Sequence, residues 1–293
     1  MAGDSGCKGV AMYPPNFDYV APSSLDEALA ALAGAENAKI LSGGMSLIPL
    51  MKMRLVRPTL VVDISRIPGL DEVTDDGDHI TIGAMVRHAT TASHPLVQEH
   101  ASALAEAASC TADLQVRNRG TTCGSLAHAD VAADQPAAAL ALNATMHAAS
   151  VRGTREIAAA DFFVDTLTSA LAPDEILTKV TIPKGGSSTY RKLGRRGGNS
   201  DYPIAAAAVW VDVSNGSVSA ARIAVTGVSS TPYLAVGSAQ ALIGSDGSAD
   251  AIAAAASHAT DGVNVLEDLY GTVAFRTHLA DLYVRRALED VLA

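Results

Sequence analysis

The chain has 293 residues with 21 basic and 31 acidic side chains, and its net charge of −10 argues against the basic surface that nucleic-acid binding requires. Hydrophobic residues make up 48% of it but aromatics only 4%, so alanine supplies much of the apolar content and favours close helix packing over bulky cores. No apolar run is long enough to span a membrane, and three scattered cysteines exclude both a disulfide framework and an iron–sulfur cluster built by this chain alone.

Residues 1–11, which include Cys7, read as a disordered lead without the charged and apolar regions of a secretory signal. Cysteine usage fits a reducing compartment, and cytoplasm is the economical expectation. Ser24 stands three residues before Glu27, a capping box that opens an Ala/Leu helix to Ala33. Lys39–Leu41, Leu60–Ile64 and His79–Ile82 read as short strands, and Pro95–Ala108 as one helix. Arg117–Asp134 is rich in Gly, Thr, Ser and Asp and reads as loop, with helix again from Ala137. Strands follow at Thr145–Val151 and Ile176–Ile182, with a helix expected near Asp161–Ser169. The stretch Pro183–Ser188 reads as a linker. Beyond it, Ile204–Val213 and Val218–Val228 flank Asn215-Gly216, a strong hairpin signal. Three helices are expected near Leu234–Ile243, Ala249–Thr260 and Thr272–Leu292. Helices and strands mix without a strict βαβ rhythm, which predicts an α+β fold.

Two segments carry the chemistry. Leu41-Ser42-Gly43-Gly44-Met45-Ser46-Leu47-Ile48 directly follows a strand. Arg119-Gly120-Thr121-Thr122-Cys123-Gly124-Ser125 trails into Asp130 and Asp134. Glycines in such loops let backbone approach a ligand, and successive N–H groups form a concave anion site suited to a diphosphate. Neither segment is a GxGxxG or Walker sequence, and on pattern alone both read equally as ordinary glycine turns.

Other constellations are weaker. Cys110, Cys123, His128 and Asp130 lack zinc-site spacing. His88, His94 and His100 recur every six residues, off any single helical face, and read as solvated or capping residues, although His88 follows Ile82-Gly83-Ala84 closely enough to approach a ligand. Arg195-Arg196-Gly197-Gly198 reads as a solvated loop or an anion contact. No GxSxG elbow supports a hydrolase.

From about Tyr13 to Val291 the sequence resembles the FAD-binding medium subunits of the molybdenum hydroxylases. The resemblance is carried by Asn16-Phe17-Asp18-Tyr19, Pro22–Ala28, Ser42–Pro49, Leu60–Ile64, Ile82-Gly83-Ala84, Arg117–Thr121 and Gly124–Asp130 with Asp134. It implies a two-lobed FAD-binding domain of the PCMH/VAO type over 12–185, with lobes of about 12–65 and 66–185. A C-terminal domain over 186–293 would follow, a three-stranded antiparallel sheet with helices. FAD would contact Leu41 to Ile48, Ala84 and His88. It would also contact Gly120, Thr121, Cys123, Gly124, Ser125 and Leu177. Asp134 would meet the flavin's polyol chain, with Asp130 a weaker candidate. Lys192, or else Arg191, would lie near the flavin ring. Cys123 departs from the family, which has glycine there; its thiol is expected to point away from the ligand, the alternative being a redox-active thiol. The resemblance further implies a molybdenum cofactor on a large subunit and two-iron two-sulfur clusters on a small one, assembled as a dimer of heterotrimers. No residue of this chain would act as catalyst or metal ligand. The rival expectations are a stand-alone flavin oxidase and a scaffold that has lost FAD.

Overall fold

The computed structural model describes residues 12–198 and 200–293; the expected lead over 1–11 lies outside them. Residues 12–65 form a small three-stranded parallel sheet, with Leu60–Asp63 between Asp18–Val20 and Lys39–Leu41. Helix Leu25–Ala33 is the crossover between the outer strands. The Ser24 hydroxyl caps it by accepting from the Glu27 N–H, while the Glu27 carboxylate reaches back to Ser23 rather than to Ser24 itself. Ala28, Leu29 and Leu32, at i, i+1 and i+4, are its buried stripe.

The next part is a five-stranded antiparallel sheet, ordered Val73–Asp75, His79–Gly83, Ile176–Pro183, Thr145–Ser150, Gly153–Ala158. Short alanine-rich helices cover it. The helix expected over Pro95–Ala108 is two helices, Pro95–His100 and Ser102–Ser109, broken at Ala101 with φ −145° and ψ 48°. The break lets Ser102 and the Ala103 N–H bind Ser188, which tethers the second helix to the C-terminal part. The helix expected near Asp161–Ser169 is instead a single turn, Ala159–Phe162, followed by a small hairpin. Leu167 sits there at φ 55°, a left-handed conformation no helix interior accepts. The segment read as loop over 117–134 contains helix Thr122–His128, because the Thr121 hydroxyl caps it at the Gly124 N–H.

C-terminal to this lies an antiparallel sheet of three long strands, Ser187–Gly194, Pro203–Ser214 and Ser217–Thr226, with a two-residue fourth at Tyr233–Leu234. Asn215 (φ 52°) and Gly216 (φ 76°) make the two-residue turn that the sequence foretells. Ser187 and Ser188, read as linker, already belong to the first strand, so only residues 184–186 connect the sheets. Helices Val236–Leu242, Ala249–Ala256 and Val273–Val291 pack on one face. Along the central strand the faces alternate with period 2. Ala205, Ala207, Val209 and Val211 join the core under these helices, while Ala206 and Ala208 join the core of the preceding part. A strand buried on both faces explains its unbroken apolar run. Among the described residues no helix is long and apolar enough to cross a membrane.

Candidate functional site

The first glycine segment leaves the C-terminal end of strand Lys39–Leu41 and runs into helix Leu47–Lys52. Gly44 has φ 75°, and a Cβ there would lie 2.8 Å from Ile48 and 3.1 Å from Leu41. Those two side chains therefore underpin the turn from below. The second segment is gripped by residues 86–88. The His88 N–H donates to the Gly120 carbonyl (2.9 Å) and the Thr122 N–H to that of Val86 (3.1 Å). The Arg87 guanidinium donates to the carbonyls of Asn118 (2.9 Å) and Arg119 (3.2 Å).

These segments, about eighty residues apart in sequence, touch. Ser42 Oγ and Thr121 Oγ1 are 2.9 Å apart. A Cβ on Gly43 would stand 2.3 Å from the Arg119 carbonyl oxygen and 2.6 Å from the Gly120 Cα. Only glycine permits this approach. The N–H groups of Gly43, Gly44, Met45 and Ser46 donate to no hydrogen bond among the described residues, and neither do the hydroxyls of Ser46 and Ser125. A run of such donors beside a cavity is the arrangement that holds anions, so the residues fit a diphosphate.

Both segments wall one cavity of ≈ 900 Å³, near the top of the roughly 300–1,000 Å³ range of small-molecule sites. Of the residues expected to contact FAD, Ser42 to Leu47, Ala84, His88, Gly120, Thr121, Cys123, Gly124, Ser125, Asp130, Asp134 and Leu177 line it. Leu41, Ile48 and Lys192 do not. Leu32, Ile40, Leu50 and Val56 add apolar wall, together with Lys39. The C-terminal part contributes Arg196, Asp201 and Tyr202. The sequence pattern alone reads Arg195–Gly198 as a solvated loop or an anion contact. Its signal is the local density of Arg, Gly and Asp, which gives no direction.

Lys192 stands behind Asp134. Its ammonium donates to the Asp134 carboxylate (2.7 Å) and to the carbonyls of Cys110 and Asp201 (2.8 Å each), and its side chain is only 2% exposed. Three acceptors exhaust its donors, so it braces the wall instead of facing the cavity. Arg191, the other candidate, points elsewhere, to Glu106 and Asp290. Asp134 also accepts from the Tyr190 hydroxyl (2.7 Å). Burial pushes its carboxyl up, to about 6, against the opposing pull of Lys192, Tyr190 and Thr111.

His88 is buried, not solvated: it is 4% exposed, and its Nδ1 lies 2.7 Å from the Gln135 amide nitrogen. Burial, with Arg117 nearby, lowers its pKa from the ordinary 6.5 to about 4. A depressed pKa gives stability that is complete above pH 6.5 and is lost as pH falls through 4, about 3 kcal/mol in all. Replacing His88 with glutamine is expected to flatten the pH dependence of unfolding free energy across that window. An unchanged acid limb in urea titrations would contradict it.

Cys123 sits in the first turn of helix Thr122–His128 with its thiol 3.8 Å from the Ile82 carbonyl. It is 2% exposed, and burial pushes its pKa up to about 12. A buried, protonated thiol is a poor nucleophile. Native protein is therefore expected to lose Cys110 to an alkylating reagent before Cys123, which is modified only on unfolding, as peptide mapping would report.

The comparisons with known proteins agree with this geometry. A family described as the FAD binding domain in molybdopterin dehydrogenase matches residues 15–185, and the CO dehydrogenase flavoprotein C-terminal domain matches 188–291. The chain is 39% identical to the 6-hydroxypseudooxynicotine dehydrogenase complex subunit alpha of Paenarthrobacter nicotinovorans, over 96% of both chains. It is 38% identical to the carbon monoxide dehydrogenase medium chain of Hydrogenophaga pseudoflava, over 96% of this chain and 99% of that one. A solved carbon monoxide dehydrogenase from Hydrogenophaga pseudoflava superposes with a TM-score of 0.91 at 39% identity, covering 96% of this chain and 98% of the other. Quinoline 2-oxidoreductase of Pseudomonas putida 86 gives 0.91 at 34% identity, with 96% and 98% covered. The chain belongs to the FAD-binding medium subunits of the molybdenum hydroxylases and is a flavoprotein component of an oxidoreductase.

Proposed function

We propose that this chain is the electron-transfer subunit of a molybdenum-containing hydroxylase, holding FAD across the ≈ 900 Å³ cavity. The observation that carries the reading is the contact of the two glycine segments, which brings the unpaired donors of Gly43 to Ser46 opposite Gly124 and Ser125. The backbone N–H groups of Gly43 to Ser46 would hold the diphosphate, with the hydroxyls of Ser46 and Ser125 adding donors. The apolar wall of Leu32, Ile40, Leu50 and Val56 suits the adenine. Asp134 and Asp130 suit the polyol hydroxyls, and Ala84, His88 and Leu177 complete the wall.

When bound, FAD supplies the capacity to receive electrons from iron–sulfur clusters and release them to an external acceptor. The chain's own residues bind and orient it. Lys192 holds Asp134 in place and favours its ionised form in a buried wall. The substrate would be oxidised on a large molybdenum-binding subunit, with two-iron two-sulfur clusters on a small subunit and a dimer of heterotrimers as the assembly. The division into an FAD-binding domain to residue 185 and a C-terminal domain from 186, and a cytoplasmic setting that keeps Cys110 and Cys123 as thiols, belong to the same reading.

A visible spectrum tests it. The purified chain or complex is expected to carry about one flavin per copy, bleached by dithionite. A folded, colourless preparation that cannot be reconstituted with FAD defeats the proposal, and a holoprotein that purifies without molybdenum or iron identifies a free flavoenzyme instead.

A further inference from the structure

Beside Tyr202, a half-exposed wall of the cavity, stand side chains that the FAD-holding role leaves unused. Leu269 is 100% exposed, and Tyr270 beside it is 48% exposed. The Tyr270 ring lies 4.3 Å from the Arg195 guanidinium carbon, whose other aromatic neighbour is Tyr202 at 5.2 Å. Tyr202 is itself a cavity wall, 51% exposed. Arg195 forms no ion pair among the described residues, although the chain as a whole is strongly acidic. A guanidinium stacked on aromatics keeps its fork of donors available for a carboxylate.

Exposed leucines occurring singly are ordinary. This one is held in place. Arg276, with a side chain 4% exposed, donates to the carbonyls of Ile204 (2.8 Å) and Gly227 and to the Asp268 carboxylate (2.6 Å). Asp268 accepts from the Tyr270 N–H (2.8 Å) and exchanges backbone bonds with Gly271. A desolvated guanidinium is expensive to bury, and here it fixes the loop that displays Leu269 and Tyr270. A preorganised apolar side chain beside an unpaired arginine has the composition of an interface centre, where Arg, Tyr and rigid apolar anchors carry most of the affinity.

We infer that this rim, Arg195 with Tyr202, Leu269 and Tyr270, is the docking face for the partner chain that delivers electrons, and that it takes a carboxylate set beside an apolar hollow. The inference rests on the FAD reading above, because electron tunnelling falls steeply with distance and a donor must dock close to the flavin's cavity, which Tyr202 walls. Charge complementarity names the partner's chemistry: an acidic residue seated in the Arg195 fork, with Leu269 inserted next to it.

The test uses the native complex, purified through a tag on this chain, with subunit stoichiometry read by native mass spectrometry and flavin by absorbance. Arg195→Glu and Leu269→Asp are each expected to weaken partner binding by at least roughly tenfold while flavin content stays at the wild-type level. Leu269 lies outside the cavity and is fully exposed, so Leu269→Asp still probes docking even if Arg195→Glu releases FAD. Partners retained at full stoichiometry in both variants would overturn the inference. Partners retained by a wild-type complex that holds no flavin would instead remove the functional reading beneath it.

Discussion

Replacing Lys192 with methionine is expected to destabilise the protein by roughly 3–5 kcal/mol at neutral pH, because it leaves the Asp134 carboxylate buried without its counter-charge. Methionine keeps the length and apolar stem, so lost packing contributes little. Tyr190 remains as the only close side-chain donor besides Thr111. The pH dependence separates this cause from general damage. In the wild type the Asp134 pKa is already raised to about 6 from 3.8 by burial. Without the two lowering effects of Lys192 it rises further. A carboxyl with a raised folded pKa favours the folded state below its unfolded value, and that advantage is lost as pH climbs through the folded one. The variant should therefore regain stability relative to wild type as pH is lowered from about 8 towards about 4. Adding Asp134→Asn should restore most of the loss at neutral pH, since a neutral amide can still accept from Tyr190. Urea unfolding of the four proteins of this double-mutant cycle, at two pH values, gives the answer. A Lys192→Met deficit that is constant with pH and additive with Asp134→Asn would show that the pair is not coupled.

The contrast between Lys192 and the glycine segments shows what the sequence made legible. The segments were readable because their requirement is local: a strand that ends, glycines that permit close backbone approach, and hydroxyls beside them. Helix Leu25–Ala33 and the Asn215-Gly216 hairpin were readable for the same reason, since cap and turn chemistry lie within four residues. What failed depended on long-range contact. The break at Ala101 answers to Ser188, eighty-five or more positions away. His88 is six residues from His94 in sequence, yet it is buried by Gln135 and Gly120. The first strand of the C-terminal sheet, Ser187–Gly194, is missed and its start read as linker because its polar groups are met by Glu106 from helix Ser102–Ser109, which accepts from Thr189, the Tyr190 N–H and Arg191. Lys192 belongs to this class. Its position in the motif points to the flavin, whereas its neighbours draw its ammonium into the wall.

Gly43→Ala is the substitution expected to separate the two segments. Its Cβ would stand 2.3 Å from a backbone oxygen and 2.6 Å from a backbone Cα, where 3.4 Å is ordinary contact, so no rotamer change relieves it. The segments must part by about an ångström, which is comparable to the misplacement that ruins a preorganised site. Overpacking of this kind costs about 1–3 kcal/mol of stability. The larger effect falls on FAD, because parting the segments breaks the Ser42–Thr121 contact (2.9 Å) and moves the donors of Gly43 to Ser46 away from the Ser125 hydroxyl. Affinity measured by quenching of flavin fluorescence is expected to fall by at least roughly a hundredfold, the equivalent of two charge-assisted hydrogen bonds at about 1.5 kcal/mol each. Gly198→Ala is the matched control: a Cβ there meets nothing within 4 Å, so both stability and affinity should stay at the wild-type values. Wild-type affinity in Gly43→Ala would mean that the donors facing the cavity do not hold the diphosphate, and the placement of FAD between the segments would be lost with it.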